Sequence, residues 1–493
     1  MMSFILDYIL SSGTGLISDI HVLILIINFF FAVSIIFIER RDPTSALLWV
    51  TILALIPIAG IIAYLIFGQN LYKAKIFRIK EEDDRKIQEI ISRQKEFVDN
   101  IRIPWDDKAG DYIGLVRMLL ETNYAEVTDN NEVEIYTDGR KKFEALIEAI
   151  KSAKESVNIQ YYVIRNDEIS KKIISILAEK ARQGVKVRVL GDAVGCHQLP
   201  RNFFDELKKA GGETAFFFRS KYLHINIRIN YRNHRKIAVI DGKTGFIGGF
   251  NLGDEYLGKG PLGYWRDTHL KITGGAVYSL QSRFFLDWNH AAEKDIGFFD
   301  GMYFPRAPFK RGTFMQIASS GPDSQGESIK MGYIKLINNA RESILIQTPY
   351  FIPDKSILDS LKIAAGSGVD VKIMFPCRPD HPFVYWAGFS YLWELMESGV
   401  RVFTYNRGFI HAKTIVVDGM ASSVGSANWD IRSFSLNFES NAFIYDETVS
   451  GKLKNIFEED LKYCSEKTND DYNNRTVAVR FKESISRLFS QVL

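Results

Sequence analysis

Apolar and polar positions change their period along this chain, and the first change separates residues 1–70 from the rest. Uncharged apolar runs extend over Ile20–Ile38 and Ser45–Phe67, with a short polar turn at Glu39–Thr44 between them. Each run is long enough to cross about 30 Å of hydrocarbon as an α-helix. The pattern therefore predicts a two-helix transmembrane hairpin, with helices at about 20–38 and 45–67. Two buried helices of a soluble core are the alternative.

Basic residues are denser after the second apolar run than in the turn before it. The run is followed by Lys73, Lys75, Arg78 and Lys80, whereas the turn contains Arg40 and Arg41. The positive-inside rule then places the remainder of the chain on the cytoplasmic side of the membrane. Residues 71–105 are rich in charge and carry isoleucines at helical spacing, so they are predicted to form a charged linker.

The body of the chain contains an internal repeat in which strand-like apolar runs alternate with helically periodic segments. The matched pairs are Ala153–Gln160 with Ala340–Gln347, Gly184–Leu190 with Gly368–Met374, and Gly212–Phe218 with Gly399–Tyr405. The offset drifts only from 187 (347 − 160) to 177 (411 − 234). The repeat predicts an α/β fold of two homologous lobes, each a mixed β-sheet flanked by helices, at 106–300 and 301–493. An amphipathic helix is predicted from Arg480 to Leu493.

Each lobe carries one copy of a long motif, H-x-K-x4-D-x6-G-[GS]-x-N. The first copy consists of His234, Lys236, Asp241, Gly248, Gly249 and Asn251; the second consists of His411, Lys413, Asp418, Gly425, Ser426 and Asn428. In an extended strand, residues two apart lie on one face, so each His lies beside its Lys. An imidazole next to an ammonium favours an anion, and the ammonium repels a metal cation. We therefore expect an anion site without a metal.

The paired motifs resemble the HKD signatures of the phospholipase D superfamily, and the whole chain is similar to the bacterial cardiolipin synthases. The resemblance implies that both motifs meet at one cleft, with His234 as nucleophile and His411 as general acid and base. The reverse assignment of the two histidines stays open. It also implies a carboxylate from each lobe that orients an imidazole, at Asp267 and Glu439.

The residue types suit attack on a phosphodiester. Lys236 and Lys413 would stabilise negative charge on the phosphate oxygens, and Asn251 and Asn428 would donate amide hydrogens to them. Ser426 would add a hydroxyl that its counterpart Gly249 lacks. A neutral imidazole can form a phosphohistidine while a protonated one serves the leaving alcohol, so no cofactor is expected.

The remaining aspartates of the motifs have two readings. Asp241 and Asp418 belong to the motif and are grouped with the catalytic residues. Because each stands at a strand-end turn before a glycine, a purely backbone role is equally compatible with the sequence.

The composition of the chain limits the kinds of partner that it is expected to bind. The formal net charge is +3, from 62 basic and 59 acidic residues, so a nucleic-acid partner is not expected. The three cysteines are far apart, which excludes a dense disulfide framework. Aromatic and basic residues mix over Phe216–Arg232 and aromatic residues cluster over Phe383–Trp393, as on surfaces that touch anionic lipid.

The resemblance implies a multi-pass enzyme of the bacterial cell membrane that converts two phosphatidylglycerol molecules to cardiolipin and glycerol. Protein partners are not predicted. A phospholipase D-type hydrolase, a transferase using phosphatidylethanolamine or free glycerol, a nuclease and an inactive lipid-binding protein are the alternatives.

Overall fold

The computed structural model describes residues 15–38, 43–67, 112–218, 230–294, 296, 301–306, 310–322 and 326–490. The predicted charged linker lies outside these ranges, as does most of the aromatic-basic segment before the first motif. The helices between residues 15 and 67 belong to one compact unit, and the β-sheet with its helices belongs to another.

The first unit contains three apolar helices: α1 (Gly15–Val33, continued by a π-helical turn over Ser34–Ile38), α2 (Pro43–Leu55) and α3 (Pro57–Phe67). The predicted second span is divided at Ile56, because Pro57 has no N–H for a continuous helix. Within the ranges described, no helix has both the length and the hydropathy needed to cross a membrane. The Trp49 and Tyr64 rings pack edge to face, 5.4 Å apart, in the small core of this unit.

The second unit is built on one continuous mixed sheet. Its strands are β1 (Val127–Tyr136), β2 (Ser156–Tyr161), β3 (Lys186–Asp192), β4 (Glu213–Phe217), β5 (Ile237–Ile240), β6 (Thr244–Gly248), β8 (His269–Thr273), β9 (Thr313–Ser320), β10 (Ser343–Gln347), β12 (Asp370–Pro376), β13 (Arg401–Tyr405), β15 (Thr414–Val417), β16 (Ala421–Gly425), β18 (Glu439–Tyr445) and β19 (Cys464–Glu466). Two short parallel pairs lie outside it, β7 (Tyr264–Arg266) with β14 (Gly408–Ile410) and β11 (Phe351–Ile352) with β17 (Trp429–Asp430).

Helices cover the sheet. They are α4 (Ile113–Asn123), α5 (Gly139–Ser152), α6 (Glu168–Arg182), α7 (Asp205–Lys209), α8 (Ala276–Ala292), α9 (Ser328–Asn339), α10 (Lys355–Gly366), α11 (Pro382–Met396), α12 (Ile431–Ser435), α13 (Glu447–Leu461), α14 (Asn469–Asn473) and α15 (Val477–Leu488), with a 3₁₀ turn at Asp254–Leu257. Strong N-caps begin several of them; the Asp138 carboxylate, for example, accepts from the N–H groups of Arg140 and Lys141 at the start of α5.

The strand order reflects the internal repeat of the sequence. From the centre outward, one half of the sheet runs β1-β8-β6-β5-β2-β3-β4, and the other runs β9-β18-β16-β15-β10-β12-β13. The two halves join where β1 and β9 pair antiparallel. The predicted mixed α/β sheet is confirmed, but the two lobes share one sheet. The predicted lobe limits at residues 300 and 301 stay a prediction.

The motif aspartates close the turns after β5 and β15. Asp241 and Asp418 adopt left-handed backbone conformations, with φ of 51° and 54°. The Asp241 carboxylate accepts from the backbone N–H groups of Lys154, Glu155 and Ser156 at 2.8–2.9 Å. Asp418 makes the matching set with residues 341, 342 and 343.

These contacts support the backbone role of Asp241 and Asp418, and their grouping with the catalytic residues stays a prediction. Each aspartate follows the far end of the strand that begins three residues after the motif histidine, and seven extended residues span on the order of 20 Å. The carboxylates fasten the turn to the start of the neighbouring strand, which explains why the motif spacing requires them.

Replacing Asp241 tests this role. Asp241→Ala removes the acceptor of three backbone N–H groups and places a Cβ-bearing residue without a local hydrogen bond in left-handed backbone. We expect the free energy of unfolding to drop by about 2–4 kcal/mol. Asp241→Asn keeps one acceptor oxygen and tolerates this conformation, so its loss should be smaller. Denaturant titration of the two variants checks the order, and equal stability of Asp241→Ala and the parent would contradict it.

Candidate active site

Each H-x-K segment pairs with a segment of the other repeat. The His234 N–H donates to the carbonyl of Phe438 at 2.9 Å, and the Phe438 N–H returns to the carbonyl of Arg232 at 2.9 Å. In the second copy, β14 runs parallel to β7, and the His411 N–H donates to the carbonyl of Arg266 at 2.7 Å. The backbone thus brings each motif histidine beside the residue that follows the partner segment.

That residue is a carboxylate in both cases. His234 Nδ1 lies 3.0 Å from Glu439 Oε1, and His411 Nδ1 lies 2.6 Å from Asp267 Oδ2. Both carboxylates are fully buried. An Nδ1–H that donates to a carboxylate leaves Nε2 with its lone pair, the arrangement of a histidine ready to attack or to accept a proton. The structure places the predicted orienting carboxylates where the resemblance required them, and it shows that each serves the histidine of the other repeat.

The two lysines lie behind the histidines. Lys236 Nζ donates to the carbonyl of His234 at 2.6 Å, and Lys413 Nζ donates to the carbonyl of His411. Their side chains are almost fully buried, at 1% and 0% exposure. Burial lowers the pKa of Lys413 to about 8 and that of Lys236 well below its ordinary value, while Glu439 opposes both shifts.

The imidazoles are neutral at pH 7. Burial lowers the pKa of His411 to about 3; Lys413 adds to the decrease, and Asp267 opposes it. Burial also lowers the pKa of His234, against the pull of Glu439. Burial alone would raise the pKa of Glu439, but His234, Lys236 and the Ser426 hydroxyl together hold that pKa below its usual range. Both histidines therefore begin as neutral bases.

The residue at the [GS] position of each motif is matched to the carboxylate that lies beside it. Ser426 Oγ donates to Glu439 Oε2 and accepts from the Ser440 N–H at 3.0 Å. At the matched Gly249, an added Cβ would stand 2.0 Å from Asp267 Oδ1. The Ser426 hydroxyl therefore holds the carboxylate beside His234, and its binding to the substrate phosphate stays a prediction.

The motif asparagines line the cavity but differ in their contacts. Asn251 Nδ2 donates to the Tyr256 hydroxyl at 2.9 Å, and its Oδ1 accepts from the Val163 N–H. Asn428 is 4% exposed, and its Oδ1 has no hydrogen-bond partner in the described part of the chain. A phosphate-binding role for both stays a prediction.

In each repeat, a glutamine near the end of a strand donates a hydrogen bond to an aspartate of a helix. Gln160, at the end of β2, donates to Asp287 of α8 at 2.5 Å. Gln347, at the end of β10, donates to Asp460 of α13 at 2.8 Å. The two glutamines are equivalent in the repeat, so each half anchors its helix to its sheet in the same way.

The arginines that neutralise these two aspartates come from positions that are not equivalent in the repeat. Asp287 binds Arg235, the middle residue of the first motif, at 2.6 and 2.7 Å. The second motif has Ala412 at that position, and Asp460 is bound instead by Arg266 of the other repeat, at 2.7 and 3.1 Å. Both buried carboxylates are paired, which a charge in the interior requires.

One cavity of about 320 Å³ contains both histidines. Its walls are formed by Tyr162, Val163, Arg165, Arg232, His234, Asn251, Glu255, Tyr256, Trp265, Tyr350, Ile352, Asp380, His381, Val384, His411, Asn428, Asp430, Arg432 and Asn437. The predicted common cleft is therefore present in the structure. His381, which follows a strand in the second repeat, reaches its rim, whereas the matched His197 does not.

Several cavity residues were not recognised from the motif. The Tyr162 ring lies 4.9 Å from that of His234, and the Trp265 ring lies 5.3 Å from that of His411. Arg232 and Arg432 also line the cavity. Arg232 could have been found from strand period, because it is two residues before His234 and so faces the same way. Arg432 lies beyond the motif, and no sequence signal marks it.

The fold and the site together define the class. A solved phosphatidylserine synthase of Haemophilus influenzae Rd KW20 superposes with a TM-score of 0.59 over 77% of this chain and 100% of its own, at 15% identity, which shows a shared fold. The family described as "Cardiolipin synthase, PLD-like domain" matches residues 146–260 and 333–461, and the Phospholipase D-nuclease N-terminal family matches residues 26–69. The protein is a phospholipase D-like enzyme with two H-x-K motifs at one cleft.

Relatives that match nearly the whole length of the chain narrow the class of enzyme to one family. The major cardiolipin synthase ClsA of Bacillus subtilis (strain 168) is 48% identical over 473 residues, covering 96% of this chain and 98% of its own. A cardiolipin synthase of Listeria innocua is 47% identical over 481 residues, covering 97% of this chain and all of its own. The chain belongs to the cardiolipin synthase family.

The neutral state of His411 predicts an acid-sensitive fold. Its pKa is about 3 in the folded protein and about 6.5 when unfolded, so between these values the unfolded chain binds a proton that the folded one does not. Stability is then lost as the pH drops below about 6.5, by on the order of 2 kcal/mol at pH 5 from this group. His411→Gln should lose less stability than the parent between pH 7 and pH 5.

Thermal unfolding at the two pH values checks this expectation. His197→Gln, at an exposed position outside the cavity, is the matched control and should follow the parent. The same pH dependence in His411→Gln and in the parent would contradict a buried neutral imidazole.

Proposed function

We propose that the protein is a cardiolipin synthase that transfers a phosphatidyl group from one phosphatidylglycerol to another. The observation that carries the proposal is the pair of crossed His–carboxylate hydrogen bonds at one cavity, His234 with Glu439 and His411 with Asp267. Two imidazoles held alike suit a reaction of two similar halves, in which one alcohol leaves a phosphorus and another arrives. Relatives named cardiolipin synthase that match almost the full chain support the choice of lipid.

In the first half, Nε2 of His234 attacks the phosphorus of the donor phosphatidylglycerol. A P–N bond forms, and the P–O bond to the glycerol headgroup breaks. His411, protonated when the anionic substrate is bound, gives its proton to the departing glycerol oxygen. A phosphatidyl group now stands on His234, and His411 is neutral.

In the second half, His411 accepts the proton of the primary hydroxyl of a second phosphatidylglycerol. The hydroxyl oxygen attacks phosphorus, the P–N bond breaks, and cardiolipin leaves with both phosphodiesters intact. The sum is two phosphatidylglycerol molecules to one cardiolipin and one glycerol. Lys236 and Lys413 each have N–H donors beyond the one bound to a backbone carbonyl, and these stabilise the phosphate oxygens in both halves.

We place the substrate in the cytoplasmic leaflet of a bacterial cell membrane, with the apolar segments at 20–38 and 45–67 as a two-pass anchor. Three observations support a membrane setting. The N-terminal segment matches a phospholipase D N-terminal family. Large apolar side chains such as Phe37 and Leu55 are 74% and 77% exposed. The predominance of basic residues after the second segment favours a cytoplasmic body.

The helix α15 supplies a second contact with lipid, because its polar face is buried and its apolar face is exposed. Glu483 and Ser486 point inward, at 4% and 2% exposure, whereas Val477, Phe481 and Leu488 point outward, at 63–83%. The inward face docks on α11 through polar groups, including the Trp393 indole N–H donating to Glu483 at 3.1 Å.

Basic residues flank this outward apolar face. Arg480 and Lys482 are exposed on α15, and Lys482 Nζ lies 5.4 Å from the Trp386 ring of α11. The neighbouring Phe383, near the start of α11, is 59% exposed beside the cavity-lining His381 and Val384. Apolar side chains with a basic border fit an anionic bilayer surface at the mouth of the cavity.

The reaction is tested in liposomes of phosphatidylglycerol by lipid mass spectrometry. We expect cardiolipin and glycerol in equal amounts from the parent protein, and neither from His234→Ala or His411→Ala. Glu439→Gln and Asp267→Asn should each lower the rate by about 10²–10³-fold, because the imidazole loses the anion that orients it. Glu458→Gln, an exposed glutamate on α13, is the matched control.

Other products would change the assignment. Phosphatidic acid without cardiolipin would make water the acceptor and the protein a hydrolase. Turnover only after phosphatidylethanolamine or glycerol is added would name a different acceptor. A phosphatidyl group trapped on His411 instead of His234 would reverse the two histidine roles; it is found by peptide mapping of enzyme quenched in detergent at mildly alkaline pH, because the P–N bond hydrolyses in acid.

The lipid contact of α15 is tested on the full chain in nanodiscs. Hydrogen exchange over residues 477–488 should slow when a neutral lipid is replaced with phosphatidylglycerol. Phe481→Ser with Leu488→Ser should abolish that difference and leave the thermal midpoint within a few degrees, because these side chains are exposed. Ser484→Ala on the same helix is the control. The proposal is contradicted if the exchange rate is the same with neutral and with anionic lipid. It is also contradicted if the rate depends on protein concentration, as expected for a contact between two copies of the chain.

A further inference from the structure

The cleft is built from a repeat, yet the two repeats carry different charged residues at matched positions. Two residues before the motif histidine, the first repeat has Arg232 and the second has Phe409. Four residues after the motif asparagine, the first repeat has Glu255 and the second has Arg432. Because each carboxylate dyad crosses between repeats, these differences place both arginines near His234.

The end at His234 is basic. Arg232 and Arg432 both line the cavity, and so does Tyr162, whose ring lies 4.9 Å from that of His234. Burial lowers the pKa of Arg432; Asp430 and Tyr162 oppose this decrease, and the charge of Arg232 adds to it. Two like charges held together in a buried cavity are stabilised by an anion that bridges them.

Two carboxylates approach the arginines, and backbone donors hold both. Asp192 accepts from the N–H groups of Asn233 and Val194 at 2.9 and 2.8 Å, and its contact with Arg232 is longer, at 3.4 Å. Asp430 caps α12 by accepting from the Ser433 N–H at 2.7 Å. Asp192 therefore serves both Arg232 and the backbone, and a guanidinium group, with five N–H donors, can bind a phosphate oxygen beside such a carboxylate.

The end at His411 has a different character. The Trp265 ring lies 4.7 Å from the Phe409 ring and 5.3 Å from the His411 ring. Glu255 stands at the position matched to Arg432 and lies 3.4 Å from Arg165. An aromatic wall with a carboxylate suits neutral hydroxyl-bearing groups better than a second phosphate.

The proposed reaction requires a second anion site. Cardiolipin carries two phosphodiesters joined through glycerol, so six single bonds separate the two phosphorus atoms. Two residues of extended backbone contain the same number of bonds and span about 7 Å. Arg232 and His234 are two residues apart on one extended face, so a lipid whose one phosphorus is at His234 has its other within reach of Arg232.

We infer that Arg232 and Arg432 form a second phosphate subsite, which binds the phosphodiester of the acceptor lipid while its hydroxyl reacts. The inference rests on the proposed function and deepens it. The subsite selects an anionic glycerol lipid over water and neutral alcohols, since only the anionic acceptor brings a charge for the two guanidinium groups.

A competition between two acceptors tests the subsite. Full-length enzyme is incubated with phosphatidylglycerol liposomes and 1-butanol, and the ratio of cardiolipin to phosphatidylbutanol is measured. Arg432→Gln should lower this ratio by roughly 10–100-fold, the effect of losing hydrogen bonds to a charged group, while phosphatidylbutanol is still formed. Arg432→Lys keeps the charge and should restore part of the ratio.

Control variants separate acceptor binding from a role in donor binding or in folding. Arg401→Gln removes an arginine from an exposed ion pair with Glu466 and should leave the ratio unchanged. Arg232→Lys tests the other member while leaving Asp192 with a cation. Equal losses of both products in Arg432→Gln would mean that the arginine serves the donor phosphate or the fold, and the inference would be overturned. If the parent forms phosphatidylbutanol but no cardiolipin, the proposed function itself fails.

Discussion

Everything at this site depends on two buried hydrogen bonds that cross between the repeats, from His234 to Glu439 and from His411 to Asp267. Neither repeat contains a complete imidazole–carboxylate pair of its own. The short backbone pairings beside them, β14 with β7 and His234 with Phe438, set the register that makes the crossing possible. A rotation of one half against the other would separate both pairs at once, and the continuous sheet through β1 and β9 resists it.

The charged groups beside the histidines depend on one another. Against the effect of burial, Glu439 and Asp267 both raise the pKa values of Lys236 and Lys413. A bound phosphodiester would add a negative charge and raise the pKa of a nearby imidazole. In the proposed reaction the substrate would therefore favour the protonated His411 that serves as general acid, although burial holds its pKa at about 3 in the free site.

Much of this architecture was readable from the sequence, because duplication supplies a second observation of every position. The mixed α/β body, the shared cleft and the two carboxylates follow from matched spacing and resemblance, whereas the motif His and Lys, expected on a strand, lie just before β5 and β15. What the sequence could not show depends on contacts between distant segments. The tie of Asp241 to the turn before β2 and the contact of Ser426 with Glu439 are examples. Gly249 looked like a missing hydroxyl, although its role is to leave room for Asp267.

The two halves have kept what both must do and have diverged where their tasks differ. The His, Lys and Asn of each motif, the orienting carboxylates and the supporting Gln160 and Gln347 recur in matched places, as an alternation of leaving and arriving alcohols demands. Arg232 and Arg432 have no basic counterparts in the opposite repeat. In the proposed reaction two identical lipids meet, but one supplies a phosphorus and the other supplies a hydroxyl. A symmetric cleft would bind both in the same way, so an enzyme that joins two copies of one molecule needs a charge difference between its ends to give each copy its role.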